Sequence, residues 1–187
     1  KSLKIIGNIN KIPEELFVSC TSLIQIKIPS SVTEIGNKAF YGCSSLRQIS
    51  IPPSVVKIGD YAFSECSLLT QITFEQPFSL YHIGQNAFSN CCSLQQISFE
   101  GLSFVTFIRN KTIYGPLETN ISFEIPSTVT EIGNNIFYGC SSLTQIIIPS
   151  SVTSIGNKFF YRCSSLTQII IPSSVTSIGN KAFYECS

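Results

Sequence analysis

Eight cysteines are the residues of this 187-residue sequence that could do chemistry most directly. Seven of them recur with a regular spacing, which is 23 residues over most of the chain, at Cys20, Cys43, Cys66, Cys91, Cys140, Cys163 and Cys186. Three interpretations are open: a zinc site, disulfides between neighbouring repeats, or packing of small apolar side chains. A zinc site requires four ligands at one point, and parallel side-chain vectors suit the disulfide torsion poorly. Packing of free cysteines in a core is therefore favoured.

Other chemically capable residues are few and scattered. Cys92 stands outside the regular series, so we expect it to point elsewhere and to be the most reactive thiol. His82, the single histidine, falls in a column of polar residues and is predicted to lie on the surface. No serine has a histidine to activate it, no glycines form a phosphate-binding cluster, and no carboxylates form an acid–base pair. The sequence therefore predicts a protein without catalytic residues, metal or cofactor.

Composition narrows the class of partner. Only 12% of the residues are charged and the formal net charge is +1, so no strong field would attract nucleic acid or an acidic membrane surface. No apolar stretch is long enough to cross a bilayer. The hydrophobic content of 43% is ample for a buried core. We expect a folded, soluble chain, and nucleic acid and acidic membranes are not expected as partners.

A repeat of 23 residues organises the whole sequence. "LIQIKIPSSVTEIGNKAFYGCSS" aligns without gaps with "LTQIIIPSSVTSIGNKFFYRCSS", and the phenylalanines recur with the cysteines at Phe17, Phe40, Phe63, Phe88, Phe137, Phe160 and Phe183. Alternating isoleucines predict a short strand that proline ends. Val32 and Ile35 should point inward, and Gly36 should take a positive φ angle. Asn37 is predicted to cap a short helix or 3₁₀ turn.

One such unit cannot close a core alone, so successive units must stack as coils with parallel strands about 4.8 Å apart. The predicted coil boundaries are 1–22 (partial), 23–45, 46–68, 69–93, 94–119 (degenerate), 120–142, 143–165 and 166–187 (partial). Residues 94–119 form either a worn repeat or an elaborated loop. We favour the repeat because Leu94, Ile97 and Phe99 still mark a strand. The pattern reaches both ends of the sequence, so we expect a fragment of a longer protein.

Residues 23–43 resemble the repeat L-x-x-I-x-I-P-x-x-V-x-x-I-G-x-x-A-F-x-x-C of the BspA-like leucine-rich-repeat proteins, and nearly the full chain follows it. The resemblance implies an α/β leucine-rich-repeat solenoid, with a parallel concave β-sheet and short helical or 3₁₀ turns on the convex side. It also implies the functions of that family, whose members are surface proteins of bacteria and anaerobic protozoa. These proteins serve in adhesion and protein binding.

The concave face is the candidate partner-binding surface, because repeat arrays commonly bind along one extended face. Its first outward column is Gln25, Gln48, Gln71, Gln96, Ser122, Gln145 and Gln168, and its second is Lys4, Lys27, Ser50, Thr73, Ser98, Glu124, Ile147 and Ile170. The glutamines either bind a partner or form an amide ladder that stabilises the stack. The two isoleucines either anchor a partner or simply favour strand structure.

Asn110 and Asn120 begin N-glycosylation motifs, "NKT" and "NIS", in or beside the irregular segment. Both are candidate sugar acceptors.

The sequence thus predicts a non-catalytic module of a cell-surface adhesin or antigen that contacts host or matrix proteins in host–pathogen interaction. The alternative is an intracellular, cytoplasmic leucine-rich-repeat scaffold, which free cysteines fit equally well. No membrane insertion is expected in this segment. The open ends of the solenoid are predicted to be able to pair with other copies.

Overall fold

A computed structural model of the chain describes residues 1–75, 79–94, 96–99, 131–148 and 150–186. Its strands form two rows, because each coil contributes one strand to each row. The first row is β1 (Ser2–Lys4), β3 (Gln25–Lys27), β5 (Gln48–Ile51), β7 (Gln71–Phe74), β9 (Gln96–Phe99), β11 (Gln145–Ile147) and β13 (Gln168–Ile170). The second row is β2 (Lys11–Ile12), β4 (Glu34–Ile35), β6 (Lys57–Ile58), β8 (His82–Ile83), β10 (Glu131–Ile132), β12 (Ser154–Ile155) and β14 (Ser177–Ile178).

All of the strand pairs in the described residues are parallel, as the repeat predicted. The first five strands of the first row form one sheet in the order β1-β3-β5-β7-β9, and the first five strands of the second row form another in the order β10-β8-β6-β4-β2. Strands β11 and β13 pair in one small sheet, and β12 and β14 in another. Equivalent residues face each other, for example Gln25 with Gln48 and Gln48 with Gln71. The 23-residue spacing therefore sets the register of the stack.

The core is a column of phenylalanine rings that runs through successive coils. Phe40 and Phe63 are fully buried, and their ring centroids lie 5.1 Å apart with an interplanar angle of 4°. Phe63 stacks in turn on Phe88 at 5.7 Å. Val32 and Ile35 are also fully buried, as predicted. Each coil covers the apolar face of its neighbour, which is why a repeat of this length folds only as an array.

The segments that carry the phenylalanines are turns, and the predicted helical pieces are not confirmed: none of the described residues lies in an α- or 3₁₀-helix. Backbone amides alternate between two kinds of partner. The amide of Phe40 donates to the carbonyl of Ala62 in the next coil, whereas the amide of Tyr41 closes a local turn on Lys38. Lys38 and Gly42 adopt φ angles of 51° and 68°, which a helix does not allow.

The predicted role of Gly36 is wrong. Its φ angle is not positive, and the left-handed positions of this turn fall on Lys38 and Gly42 instead. A Cβ atom on Gly36 would lie 2.7 Å from the amide nitrogen of Glu14 and 2.9 Å from the carbonyl oxygen of Ile12. Glycine is required because two backbones approach each other closely, not because the chain turns there.

The predicted capping role of Asn37 is also wrong. Its Oδ1 accepts a hydrogen bond at 3.0 Å from the amide of Asp60, one coil further along. Asp60 repeats the arrangement, accepting from the amide of Gln85 at 2.9 Å. These polar side chains therefore connect coils rather than cap a helix within one coil.

Turn segments on either side of residues 100–130 stack directly on each other. Strand β10 pairs with β8, and the rings of Phe88 and Phe137 stack at 6.2 Å. The thiol of Cys140 donates to the carbonyl of Phe88 across a separation of 52 residues, whereas the equivalent bond from Cys163 to Phe137 spans 26. The predicted coil at 94–119 lies outside the described residues apart from residues 94 and 96–99, and the coil boundaries stay a prediction.

Candidate functional site

The outward side chains of the first sheet are the residues that the sequence assigned to partner binding. In β3, Gln25 and Lys27 are exposed while Ile26 between them is buried. The same alternation occurs in β5. Because parallel pairing places Lys4 beside Lys27, the two ammonium groups carry like charge on neighbouring strands at one end of this face. An acidic group on a partner would relieve their repulsion.

A groove of about 570 Å³ crosses this face over three coils. Lys27, Ser50 and Thr73 line it, which brings together three residues predicted from different repeats. Glu75 also lines the groove and accepts a hydrogen bond from Ser50 at 2.5 Å. Sequence reasoning missed Glu75 because it follows β7 at a position that is proline in most repeats.

The glutamine column forms a hydrogen bond between neighbouring coils where Nε2 of Gln145 donates to Oε1 of Gln168 at 2.6 Å. In another coil Nε2 of Gln71 donates to the hydroxyl of Thr73 on the same strand at 3.4 Å. One pair of glutamines, Gln145 and Gln168, therefore links neighbouring coils, whereas Gln25, Gln48 and Gln71 line the groove. Both interpretations of this column stay predictions.

The far end of the first row is apolar. Ile170 is 42% exposed on β13 and pairs in register with Ile147. The side chains of Gln96, Ser98 and Ile147 lie outside the described part of the structure, as do all atoms of Ser122, Glu124, Asn110 and Asn120. Binding at all of these positions stays a prediction, as does pairing of the open ends.

None of the eight cysteines forms a disulfide. Five of the seven ladder cysteines are fully buried, and the two at the ends of the ladder, Cys20 and Cys186, are partly buried. Each ladder thiol from Cys43 onward donates a hydrogen bond to a phenylalanine carbonyl of the preceding coil, as from Cys66 to Phe40 at 3.2 Å and from Cys91 to Phe63 at 3.1 Å. Burial raises the pKa of Cys43 to about 12 and raises the pKa of Cys66 further. These thiols stay protonated at neutral pH and are poor nucleophiles.

Cys92 differs from the ladder cysteines, as predicted. It is exposed, and its thiol lies 3.5 Å from the carbonyl oxygen of Asn90 and 3.6 Å from that of Gly139. Its greater reactivity stays a prediction. His82 is half-buried on the second sheet, in register with Lys57 and Glu131.

Among the described residues, no group of three or more His, Cys, Asp or Glu side chains is placed to hold a metal ion. The same residues contain no helix with the length and apolarity needed to cross a membrane.

Parallel strands, stacked phenylalanines and a 23-residue register define a leucine-rich-repeat solenoid. The profile of the BspA type leucine rich repeat region matches residues 1–118 and 106–187, in six copies. The chain therefore belongs to the BspA-type leucine-rich-repeat family. Among curated proteins, none matches the chain.

Three solved structures illustrate the likeness. A leucine-rich-repeat protein of T. pallidum is 29% identical with a TM-score of 0.80, and the match covers 99% of this chain and 76% of that one. A leucine-rich-repeat protein from Eubacterium ventriosum is 25% identical, with a TM-score of 0.52 and coverage of 99% and 57%. The pneumococcal vaccine antigen PcpA is 20% identical, with a TM-score of 0.56 and coverage of 100% and 58%, and shares the fold.

Proposed function

We propose that the chain is a non-catalytic protein-binding module and that the outward face of the first sheet binds the partner. The observation that carries this proposal is the groove, which spans three coils and is lined by Lys27, Ser50, Thr73 and Glu75. Three of these side chains project from paired strands and the fourth, Glu75, directly follows one, so the surface is preorganised and loses little conformational entropy on binding.

The charges of this face specify the kind of partner segment. Lys4 and Lys27 lie at one end, while Glu75 lies two coils beyond Lys27. An extended polypeptide with an acidic residue near the lysines and a polar or basic residue near Glu75 complements this arrangement. Such a segment belongs to a host or matrix protein if the chain is part of an adhesin.

Direct binding to a panel of purified extracellular-matrix proteins tests the proposal. For a protein that binds, Lys27→Glu with Thr73→Glu should weaken binding by about tenfold or more, since both changes place negative charge in the groove. Lys57→Glu with Ser154→Glu is the matched control, because it alters charge equally on the second sheet. Equal weakening by the two pairs would refute the assignment to the first sheet.

The apolar end of this face is a second part of the proposed contact. Ile170 is 42% exposed, and replacing Ile147 and Ile170 with Asp should leave the fold intact while weakening binding. Unchanged affinity in the same assay would remove these two residues from the site.

We place the protein at the cell surface in this proposal, as the family resemblance implies. Because the pneumococcal vaccine antigen PcpA shares this fold, location at the cell surface is the first hypothesis to test. Antibodies to the chain should label intact cells of the source organism. Labelling only after permeabilisation would favour the intracellular scaffold.

A further inference from the structure

Three tyrosines form a stacked row on the outer side of the turn segments, away from the first sheet. Tyr138 and Tyr161 have ring centroids 5.0 Å apart with an interplanar angle of 2°, and Tyr161 and Tyr184 follow at 5.1 Å and 17°. Each tyrosine comes directly after a core phenylalanine, so the 23-residue register brings the three rings together. We call Tyr138, Tyr161 and Tyr184 the tyrosine ridge.

Cationic side chains flank the tyrosine ridge. The ammonium group of Lys158 and the guanidinium of Arg162 lie 5.8 Å and 5.4 Å from the centroid of the Tyr161 ring, and Lys181 lies 5.4 Å from that of Tyr184. These contacts hold the cations beside the rings. Positive charge therefore lies beside two of the three phenols, Tyr161 and Tyr184.

The lysine and tyrosine at the equivalent positions near the start of the chain, Lys38 and Tyr41, interact with carboxylates. The two lysines that flank the tyrosine ridge, Lys158 and Lys181, do not pair with one among the described residues. Lys38 pairs with Glu15 at 3.0 Å, and the hydroxyl of Tyr41 donates to Glu65 at 2.9 Å. Across the part of the chain that the structure describes, neither ridge lysine has a carboxylate within ion-pair distance, and Arg162 alone is paired, with Glu185 at 2.7 Å.

A shallow pocket of about 570 Å³ lies beside the ridge. Its lining includes Arg162, Glu185 and the serines Ser141 and Ser164. Arg162 and the serines can donate hydrogen bonds to anionic oxygens. The serines and Glu185 can also accept hydrogen bonds from the hydroxyl groups of a ligand. That combination suits a ligand that carries anionic groups and many hydroxyls on one chain.

We propose that the tyrosine ridge and its flanking cations bind a linear acidic polysaccharide, such as a sulfated glycan. Anionic groups along the glycan meet Lys158 and Lys181, which come from two successive coils, and its hydroxyls meet the phenols and the serine-lined pocket. Single-stranded nucleic acid fits less well because bases must stack on open ring faces, and here the rings cover one another. A polyacidic peptide lacks the many hydroxyl groups that the phenols and the serine-lined pocket would bind.

Binding of a heparin hexasaccharide to the full chain, measured by calorimetry, tests this proposal. We expect binding that weakens as salt rises, because exposed charges are screened. Lys158→Gln with Lys181→Gln should reduce the affinity about tenfold, two exposed charge contacts being removed. Lys38→Gln with Lys57→Gln removes the same charge elsewhere and should change the affinity little.

Tyr184→Ser removes a ring of the tyrosine ridge without changing the charge. The fold should tolerate serine at this position, because Ser64 and Ser89 occupy it in two other coils. The substitution should also weaken binding of the hexasaccharide. No binding of the hexasaccharide, or equal loss in both lysine pairs, would overturn the proposal. Equal affinity for a polyglutamate peptide or a single-stranded oligonucleotide of matching charge would overturn the assignment to a glycan.

Discussion

The turn segments that carry the phenylalanines have an inner side, which faces the core, and an outer side. The amino acid at equivalent positions varies less between coils on the inner side than on the outer side. On the inner side, a buried phenylalanine and a buried cysteine recur in coil after coil, as with Phe63 and Cys66. On the outer side, the residue after the phenylalanine is tyrosine in four coils, serine in two and valine in one, and the small serines Ser64 and Ser89 are buried there. Stacking fixes the inner residues, because each must fit an identical neighbour. The outer residues are free to differ, and they decide what a given stretch of the solenoid can bind.

The largest expected effect comes from removing one inner ring. Phe63→Ala should lower the free energy of unfolding by about 3–5 kcal/mol, because Phe63 is fully buried between Phe40 and Phe88. Tyr41→Ala, on the outer side, should cost about 1 kcal/mol or less. Urea denaturation followed by circular dichroism measures both. Equal losses would contradict the distinction between the two sides.

A smaller effect is expected from one ladder thiol. Cys66→Ala should destabilise the protein by about 1–3 kcal/mol, because it leaves a small cavity and removes the hydrogen bond to the carbonyl of Phe40. Cys92→Ala should change the stability by less than about 0.5 kcal/mol, since Cys92 is exposed. The same denaturation experiment compares the two cysteine variants. A Cys92 variant that loses as much stability as the Cys66 variant would be inconsistent with the burial of the ladder.

The dependence of stability on pH sharpens the account of the thiols. The pKa of Cys43 is raised from an ordinary 9.0 to about 12, so the folded state binds the thiol proton more tightly than the unfolded state. The contribution of Cys43 is fully present below pH 9 and is lost as the pH rises from there towards 12. Between these pH values, the free energy of unfolding contributed by Cys43 falls by about 1.4 kcal/mol per pH unit. Denaturation midpoints of Cys43→Ser should therefore fall less steeply above pH 9 than those of the wild type. Parallel profiles would contradict the raised pKa of this thiol.

Chemical modification of the exposed cysteine, Cys92, involves the smallest change in stability, and its rate is the quantity to measure. Iodoacetamide should label Cys92 first in the native protein, because it is exposed while Cys66, Cys91 and Cys140 are buried with raised pKa values. Mass spectrometry of peptides sampled over time follows each site. Labelling of the buried cysteines at the same rate under native conditions would show that the coils open readily.

The repeat predicted the stacked strands and the columns of phenylalanine and cysteine, because one period places equivalent residues beside each other. It failed for Gly36 and Asn37, since local rules describe a single turn, whereas the partners of both residues lie in neighbouring coils. The bond from the thiol of Cys66 to the carbonyl of Phe40 was missed because it depends on carbonyl orientation. The 23-residue spacing of Tyr138, Tyr161 and Tyr184 in the sequence is the signal that could have predicted the tyrosine ridge.

A cross-link between Cys92 and position 139 tests most directly the claim that successive turns form one continuous stack. The thiol of Cys92 lies 3.6 Å from the carbonyl oxygen of Gly139, although the two are 47 residues apart. The backbone permits Gly139→Cys, because Ser19, Glu65 and Arg162 occupy this left-handed position in other coils. A Cβ atom at position 139 would meet Oδ1 of Asn90, so that flexible side chain must move aside. We predict an intramolecular disulfide between positions 92 and 139 after mild oxidation, detected by mass spectrometry. If a further coil separated the two turns, the added spacing of about 5 Å would put the cysteines out of bonding range, and no such disulfide would form.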